Sequence, residues 1–363
     1  MKLPIADWKC SPKEREYVNA VLDSGWLTYG PWQKRLESMW SKYHGCSYGV
    51  VNSSGTGALQ VAFRALKEIH GWPDGSEVIC PAITFPATIN MVIESGLTPV
   101  LCDVELNDGM MDCKALEKVI TKKTKAVCIV HLWGTPFPRF EELSRICGEY
   151  QLSIVEDSCE TISREVGYRG DVSCFSMYFN HIISAGVGGM ACTNDNRIAD
   201  IMRSLCNHGM IDTQVKPKHK RFNFCRVGYS FRITELEAAL GAAQFERIDE
   251  ILGYRAQLRD IITDEISRQN VTQVTPIGGT MMYPILINKA NRDKVMAELD
   301  RRGVETRTAL PITDQSVFKD LKGKFPVAEQ FNKRGMFLPI HPYMKKEHCV
   351  YAVKSLAEAI KCS

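Results

Sequence analysis

Short apolar runs alternate with helical patterns along the first two-thirds of the chain, and this alternation limits the fold more than any other feature. The helical patterns cover Thr56–Ile69, Ala87–Ser95, Asp112–Ile120 and Phe140–Tyr150. The predicted strands are Tyr48–Val51, Glu77–Cys80, Val100–Val104, Ala126–His131, Ser153–Glu156, Val172–Met177 and Gly189–Thr193. This order predicts an α/β fold with a large, mostly parallel sheet that is covered on both faces. Ligands of such sheets bind at the carboxyl ends of the strands, so functional residues are expected in the loops there.

The pattern changes after about Gly209, which predicts a second and smaller α/β unit. The basic segment Lys216–Arg221 is interpreted as a solvated connection. The elements after it are a long helix Thr234–Arg259, a strand Met281–Ile287, a helix Arg292–Arg301 and a closing helix near His348–Ile360. A chain of 363 residues is long enough for more than one domain. We expect a large domain over residues 1–240 and a smaller C-terminal domain over residues 241–363.

The composition excludes several classes of protein. The 45 Lys and Arg residues nearly balance the 42 Asp and Glu residues, so neither nucleic acid nor a membrane surface is expected as a partner. The closest pair among the 14 cysteines is Cys102 and Cys113, which rules out a zinc knuckle or a dithiol redox motif, and no metal is expected. The segment Met1–Cys10 lacks the apolar core of a signal peptide, and no stretch reads as a membrane span. These features predict a cytoplasmic protein with reduced thiols.

The loop Asn52–Leu59 joins a predicted strand to a predicted helix and is rich in small residues. Its backbone N–H groups, the positive end of the helix and the hydroxyl of Thr56 are together suited to bind an anion. No Gly-Lys-Ser/Thr follows, so the loop is not a Walker A motif. An ordinary helix start, capped by Ser54 or Thr56, is the alternative.

An aromatic residue and a pair of carboxylates follow two other strands. Phe85, in the segment Cys80–Thr88, could present a flat face to a ring or could simply belong to the core. Glu156 and Asp157 end an apolar strand, where a buried carboxylate needs a partner. A protonated ring nitrogen would be such a partner, and the ion pair would make a pyridine ring an electron sink. A helix-capping Asp is the alternative.

A further loop segment, Cys174–Gly189, contains Ser176 and His181 and ends in a group of glycines. A glycine fingerprint for a nicotinamide dinucleotide opens a βαβ unit. These glycines lead into a strand instead, so that fingerprint and a dehydrogenase activity are not supported.

These segments belong to a longer series of motifs that follow one another in a fixed order. The series comprises Ser24–Pro31, Ser54-Gly55-Thr56, Thr84-Phe85, His131-Leu132-Trp133-Gly134, Glu156-Asp157, Gly228–Arg232, Phe325–Glu329 and Leu338–Pro342. Over nearly the whole length it resembles the DegT/DnrJ family of sugar aminotransferases and dehydratases. The resemblance implies the aspartate aminotransferase fold (fold type I) and, as cofactor, pyridoxal 5′-phosphate (PLP) or pyridoxamine 5′-phosphate (PMP). It also implies a homodimer in which each site borrows residues from its neighbour.

The family pattern implies a role for each matching residue. The residues that would bind the cofactor phosphate are Gly55, Thr56, Gly57 and Ser176. Phe85 would stack on the pyridine ring and Asp157 would pair with the ring nitrogen, while Glu160 would also contact the cofactor. The segment Gly228–Arg232 would reach across the dimer toward the neighbouring phosphate through Ser230, where the family usually has Asn.

One position departs from the aminotransferase pattern. Where those enzymes carry the lysine that binds the cofactor covalently, this chain has His181, and no lysine lies between Lys125 and Lys216. An imidazole cannot form that stable covalent bond. Its usual pKa of about 6.5 nevertheless suits proton transfer near neutral pH, so His181 is the candidate general base.

A histidine at this position resembles the 3-dehydratases of the family, of the GDP-4-keto-6-deoxymannose 3-dehydratase type. The run Glu156–Glu160 resembles theirs as well, whereas aminotransferases tend to have Gln in place of Glu160. The resemblance implies that PMP serves to remove the C3 hydroxyl of a nucleotide-linked 4-keto-6-deoxy sugar, and that an amino donor such as glutamate regenerates the cofactor. A divergent aminotransferase, and a non-catalytic or regulatory member that binds cofactor or nucleotide sugar, remain open.

Overall fold

The computed structural model describes residues 1–210, 223–269, 271, 274–309, 312–321 and 323–363. The strands of its larger sheet are β1 (Tyr48–Asn52), β2 (Glu77–Pro81), β3 (Thr98–Cys102), β4 (Thr124–Val130), β5 (Ser153–Asp157), β6 (Val172–Ser176) and β7 (Gly189–Thr193). They lie in the order β1-β7-β6-β5-β4-β2-β3, and β7 is antiparallel to both of its neighbours. The other pairs are parallel. The prediction of a large and mostly parallel sheet is confirmed.

Helices cover this sheet on both faces, which is why its inner strands are buried almost throughout. The helices of this part of the chain are α1 (Pro12–Ser24), α2 (Pro31–His44), α3 (Gly55–His70), α4 (Pro86–Glu94), α5 (Cys113–Val119), α6 (Phe140–Tyr150) and α7 (Asn196–Cys206). Local sequence sets several of their ends. Ser11 and Asp195 cap α1 and α7 through their side chains, and α1 stops at Gly25, whose φ of 66° favours glycine.

The second part of the chain adds a smaller sheet with its own core. Its elements are α8 (Glu235–Phe245), α9 (Ile248–Arg268), β8 (Val274–Pro276), β9 (Tyr283–Ile287), α10 (Arg292–Arg301), β10 (Arg307–Thr308), α11 (Pro326–Arg334), β11 (Gly335–Leu338) and α12 (Lys346–Lys361). The strands lie in the order β10-β11-β9-β8, all antiparallel. Leu258, Ile285, Leu299 and Leu356 pack in one hydrophobic cluster between this sheet and its helices. The domain boundary at residue 240 stays a prediction.

The prediction of one long helix over Thr234–Arg259 is wrong. The chain forms two helices, α8 and α9, which separate at Glu246 and Arg247. Glu246 accepts hydrogen bonds from Tyr17 and Arg35, so contacts with α1 and α2 hold the chain where it turns. No proline or glycine marks this break in the sequence. The predicted connection Lys216–Arg221 lies outside the described residues.

The C-terminal part also returns to the large sheet. Asp103, which directly follows β3, accepts hydrogen bonds from the backbone N–H groups of Val327 (3.1 Å) and Ala328 (3.0 Å) at the start of α11. A carboxylate in this place satisfies donors that the first helical turn leaves free. The motif Phe325–Glu329 is therefore the beginning of a helix that is fastened to the larger sheet.

None of the helices in the described ranges has the length and apolar character needed to cross a membrane. Across the same ranges, no group of three or more His, Cys, Asp or Glu side chains is placed to hold a metal ion.

Candidate active site

The two carboxylates that end β5 have different surroundings. Glu156 is fully buried and accepts hydrogen bonds from His131 Nε2 (2.9 Å), Ser173 Oγ (2.8 Å) and backbone N–H groups of residues 167, 169 and 170. Burial alone would raise the pKa of Glu156, but the hydrogen bond and charge of His131, with these other donors, lower it to about 2. Glu156 is thus an ionised and fully satisfied residue of the core.

Asp157 keeps a carboxylate available at the end of the same strand. Thr88 Oγ1 donates to its Oδ2 (2.7 Å), and the backbone N–H of Cys159 donates to its Oδ1 (3.2 Å). No Lys or Arg side chain pairs with this buried group within the described ranges. No helix begins in residues 158–171, so the helix-capping alternative is wrong. A buried carboxylate of this kind can hold a protonated ring nitrogen.

The small-residue loop packs tightly against the strands around Asp157. Ser54 caps α3 by accepting a hydrogen bond from Gly57 N (3.0 Å), so the capping alternative is realised by Ser54. A side chain on Gly55 would lie 2.7 Å from Cys159 Sγ and 2.9 Å from Ser176 Cβ. Thr56 is exposed at the start of the helix. The first turn of α3 offers N–H donors and a positive helix end, which suit a phosphate.

Phe85 lies in the loop after β2, directly before α4, and Ser176 is the last residue of β6. The Phe85 side chain is 61% exposed, so it does not belong to the core and its face is free to stack on a planar group. Ser176 is buried and accepts a hydrogen bond from the N–H of Tyr178 (3.2 Å). Ser176 lies next to Gly55, so these two residues, both predicted to contact the cofactor phosphate, are close together in the structure.

His181 lies in the turn that follows β6 and is partly exposed. Its Nδ1 is 2.6 Å from the carbonyl oxygen of Cys159. Because a carbonyl oxygen only accepts hydrogen bonds, Nδ1 carries the proton and Nε2 keeps its lone pair. Burial, and then the charge of Arg255, lower the pKa of His181 to about 4 against the raising effect of the Cys159 carbonyl. At neutral pH the imidazole is neutral, and Nε2 can accept a proton.

Glu160 is the carboxyl that follows Cys159 in this run. It accepts a hydrogen bond from the backbone N–H of Trp133 (2.9 Å). Burial raises the pKa of Glu160 to about 7 in spite of that hydrogen bond, and the charge of Asp157 adds to the rise. The N–H of Trp133 reaches Glu160 from an unusual backbone conformation, with a φ of 60° at a buried tryptophan. Non-glycine residues held in this region cluster at functional sites.

Ser230 lies in the exposed segment that was predicted to reach a neighbouring subunit. Its Oγ accepts a hydrogen bond from Arg232 Nη2 (2.9 Å) of the same chain. Phe231 beside it packs near Gly57, so the segment lies close to the predicted phosphate loop of its own chain. A contact with a neighbouring phosphate through Ser230 stays a prediction.

The described residues suit a non-covalent PLP or PMP and do not suit a covalently bound one. Gly55, Ser176, Asp157 and Cys159 lie in one contact network, and His181 is joined to it through the Cys159 carbonyl. The N–H donors at the start of α3 suit a phosphate, and a buried carboxylate that no Lys or Arg of the described residues pairs with suits a pyridine nitrogen. The lysine needed for a covalent bond is missing from this region of the sequence.

Sequence reasoning missed the roles of three residues of this arrangement. Thr88, which holds Asp157, is within the motif Cys80–Thr88, but its hydroxyl carried no predicted role. Thr84 Oγ1 lies 2.7 Å from Thr88 Oγ1, so the two threonine hydroxyls and the Asp157 carboxylate form one series of hydrogen bonds. Trp133 is in a family-like motif, yet nothing in the sequence signals its left-handed backbone.

Comparison with known proteins places this fold and site in context. The chain is 30% identical over 369 residues to the GDP-perosamine synthase of Escherichia coli O157:H7, with 98% of each protein covered. Its structure superposes on the Helicobacter pylori aminotransferase PseC, which is involved in pseudaminic acid biosynthesis, with a TM-score of 0.93 and 25% identity over the whole of both chains. It also superposes on the E. coli GDP-4-keto-6-deoxy-D-mannose-3-dehydratase with bound hydrated PLP, with a TM-score of 0.91 and 24% identity over 98% of this chain and 99% of that one.

The second superposition, at 24% identity, supports the fold alone. Both solved structures confirm the predicted fold type, and the family model agrees with the series of sequence motifs. That model, the DegT/DnrJ/EryC1/StrS aminotransferase family, matches residues 9–357, and the chain belongs to this family.

Proposed function

We propose that this chain uses PMP to remove the C3 hydroxyl of a nucleotide-linked 4-keto-6-deoxy sugar, with His181 as the proton-transferring base. The observation that carries the proposal is His181 itself. It stands where the aminotransferases of the family carry lysine, its Nδ1 is fixed by the Cys159 carbonyl, and its Nε2 forms no hydrogen bond with the described residues. Membership of the family supports a PLP-dependent enzyme of sugar-nucleotide metabolism.

The cofactor is PLP or its amine form PMP, which supplies an amine that condenses with a keto group and a ring that withdraws electrons. Asp157 is suited to hold the pyridine nitrogen, because its carboxylate is buried and its hydrogen-bond donors among the described residues are all neutral. The start of α3 and Ser176 are suited to the phosphate, and Phe85 to the ring face. Glu160 lies beside Asp157 in the same run and stays a proposed cofactor contact.

A histidine base changes what the site can do after the first proton has been removed. A lysine binds the cofactor covalently and moves on a long, flexible side chain. The imidazole has no primary amine with which to bind the cofactor covalently, and the hydrogen bond from its Nδ1 to the Cys159 carbonyl restrains the movement of the ring. We propose that Nε2 takes the proton and then returns it to the departing C3 hydroxyl. Hydrolysis would then yield the 3-deoxy-4-keto sugar and ammonia, with glutamate as the proposed donor that restores PMP.

Amine transfer is the second candidate, and the named relatives favour it over dehydration. Three GDP-perosamine synthases are 30% or 31% identical to this chain over at least 93% of both proteins. In this alternative His181 would return the proton to C4 of the sugar, so that the nitrogen is kept in a 4-amino sugar. A non-catalytic member that only binds cofactor or nucleotide sugar would give neither product.

Exposed apolar residues support the proposed homodimer. Trp26, Leu27, Tyr178, Phe179 and Val187 are each at least 45% exposed, and the last three lie in the segment that carries His181. Exposed apolar side chains suit a protein partner when they form a patch. We propose that a second copy of this chain covers them.

Product analysis tests the proposal. The purified protein is incubated with PMP, glutamate and a panel of nucleotide-linked 4-keto-6-deoxy sugars, and the products are identified by mass spectrometry. Dehydration predicts a product that lacks one oxygen atom, together with ammonia. A stable 4-amino sugar would replace the proposal with the aminotransferase alternative.

The matched control is His181→Asn, whose amide can still donate to the Cys159 carbonyl. It should bind PMP as the wild type does but lose turnover by a factor of about 10² to 10⁴, which is the usual contribution of a general base. Equal turnover in the wild type and in His181→Asn would remove His181 from the chemistry.

A further inference from the structure

The carbonyl group that fixes His181 belongs to a tight turn, Ser158–Thr161. The N–H of Thr161 donates to the carbonyl oxygen of Ser158 (3.0 Å) and closes the turn, in which Cys159 is the second residue. Within the described residues, the His181 ring makes its one hydrogen bond to the Cys159 carbonyl oxygen, at 2.6 Å. The position of the imidazole therefore depends on how firmly this turn is held.

Thr161 joins the turn to the core of the large sheet. This fully buried residue donates through its Oγ1 to the carbonyl oxygen of His131 (2.8 Å), which directly follows β4. His131 is itself fixed, because its N–H donates to the carbonyl oxygen of Asp157 (3.0 Å) and its Nε2 bonds to the buried Glu156 (2.9 Å). The Thr161 hydroxyl thus ties one end of the turn to a point of the core that has little freedom to move.

A second contact fastens the same turn, but through a longer side chain. The N–H of Trp133 donates to Glu160 Oε2 (2.9 Å). Both residues that follow Cys159 thus bind the motif His131–Gly134. The Glu160 carboxyl reaches its partner through several rotatable bonds, whereas the Thr161 hydroxyl sits on Cβ, where branching restricts rotation. Thr161 is therefore the more rigid of the two attachments.

The Cys159 carbonyl decides which ring nitrogen of His181 carries the proton. Because a carbonyl oxygen only accepts hydrogen bonds, it selects the form with the proton on Nδ1 and leaves the lone pair of Nε2 available. A hydrogen bond weakens steeply as its angle worsens. A turn that is free to shift would let the other form appear, in which Nε2 holds the proton and cannot accept one.

We propose that Thr161 is a positioning residue for His181: its hydroxyl holds the turn in place, so that the Cys159 carbonyl selects the Nδ1–H form of the imidazole. The catalytic meaning of this arrangement rests on the proposed function, whereas the choice of ring form does not. A purely structural Thr161 would satisfy the His131 carbonyl and stabilise the fold, and its loss would leave the protonation of the His181 ring unchanged.

Nuclear magnetic resonance of the full-length protein, with isotope-labelled histidine and no substrate, tests the inference. The nitrogen chemical shifts of a neutral imidazole distinguish the protonated ring nitrogen from the other one, and His181→Asn identifies the signals. Thr161→Val keeps the shape of the side chain without its hydroxyl, and Thr161→Ser keeps the hydroxyl. At about pH 8, where imidazoles are neutral, we expect the Nδ1–H form in the wild type and in Thr161→Ser. In Thr161→Val the two nitrogen shifts of His181 should approach each other, because both forms are populated.

Thr193→Val is the matched control. The Thr193 hydroxyl is buried and donates to a backbone carbonyl, that of Asp171 (2.7 Å), as the Thr161 hydroxyl does to His131. It lies on β7, outside the turn. Both valine variants should lose stability in urea unfolding, because each removes a buried hydrogen bond. Only Thr161→Val should change the nitrogen shifts of His181.

Wild-type nitrogen shifts of His181 in Thr161→Val would overturn the inference and leave Thr161 a structural residue. Thr161→Ala repeats the test with a smaller side chain, and circular dichroism checks that each variant is folded. If neither Thr161→Val nor Thr161→Ala folds, the role of Thr161 is structural and the inference is wrong.

Turnover separates this inference from the proposed function. If the enzyme acts as proposed, kcat of Thr161→Val should fall by up to about 10²-fold, which a small misplacement of a catalytic group can cost. KM for the sugar should stay near the wild-type value, and Thr161→Ser should restore kcat. If no product forms even with the wild type but the His181 shifts change as expected, the proposed function fails and the inference stands. If product forms and Thr161→Val turns over as fast as Thr193→Val, the inference fails alone.

Discussion

Substituting Gly55 by Ala tests whether the tight contact between α3 and the strands shapes the cofactor site. The added Cβ would lie 2.7 Å from Cys159 Sγ and 2.9 Å from Ser176 Cβ, both shorter than real Cβ contacts. Overpacking of this kind costs about 1–3 kcal/mol. Replacing glycine in a helix returns about 0.5–1 kcal/mol, because alanine loses less entropy on folding. We therefore expect a net loss of up to about 2.5 kcal/mol in the free energy of unfolding.

We expect Gly55→Ala to have its larger effect on the binding affinity for the cofactor. Cys159 and Ser176 must move, and they carry the carbonyl that fixes His181 and a proposed phosphate contact. A loss of about 1.4 kcal/mol in binding would weaken PMP affinity tenfold. Urea unfolding and fluorescence titration with PMP measure the two quantities. Gly253→Ala is the control, because a Cβ at Gly253 on α9 meets nothing within 4 Å and should leave PMP binding unchanged.

A double variant sharpens the result. Cys159→Ala removes the sulfur that the new Cβ would strike, so it should restore part of the stability and affinity lost in Gly55→Ala. The contact with Ser176 Cβ remains, and full recovery is not expected. If Gly55→Ala binds PMP as tightly as Gly253→Ala does, the cofactor phosphate does not lie against this turn.

Three further predictions concern buried polar groups. Thr88→Val removes the donor that lies 2.7 Å from Asp157 Oδ2 and should lower the free energy of unfolding by about 1–3 kcal/mol, and an unchanged urea midpoint would contradict this. Burial lowers the pKa of His44 from 6.5 to about 4, so the unfolded chain binds a proton that the folded one does not. Stability should fall by up to about 3 kcal/mol as the pH drops from 6.5 toward 4, and less in His44→Gln; equal slopes in urea unfolding would refute it. Burial raises the pKa of Glu160 from 4.5 to about 7, so the folded chain holds the extra proton and stability falls as the pH rises through this range. Thermal unfolding of Glu160→Gln should lack that fall, and an identical profile would count against a buried Glu160 carboxyl.

The strands of the large sheet could be predicted because buried parallel strands appear as short apolar runs between helices. Gly189–Thr193 and Phe140–Tyr150 match the predicted bounds, and the other elements of the larger sheet differ by a few residues at their ends. The break between α8 and α9 could not be predicted. It depends on Glu246 meeting Tyr17, which lies far away in the sequence.

The sequence could predict those parts of the candidate site that are formed by residues next to one another in the chain. The pair Glu156-Asp157 correctly indicated the strand end at which the candidate site lies. The sequence did not show that the hydrogen bonds of Glu156 are all made within the core, whereas Asp157 can still bind a ring nitrogen. The sequence also showed directly that no lysine lies between Lys125 and Lys216, the region in which the aminotransferases of the family carry theirs. The partner of His181 could not be predicted, because the Cys159 carbonyl reaches it only through the folded backbone.

Borohydride reduction tests most directly whether His181 leaves the cofactor without a covalent anchor. Wild-type protein and His181→Lys are each purified with PLP, reduced, digested and mapped by mass spectrometry. We expect no cofactor on any wild-type peptide of the site, since an imidazole forms no reducible bond with PLP, and one cofactor at position 181 of the variant. One equivalent of cofactor on a lysine of the wild-type protein would show that another residue replaces the missing anchor, and the proposed role of His181 would be wrong.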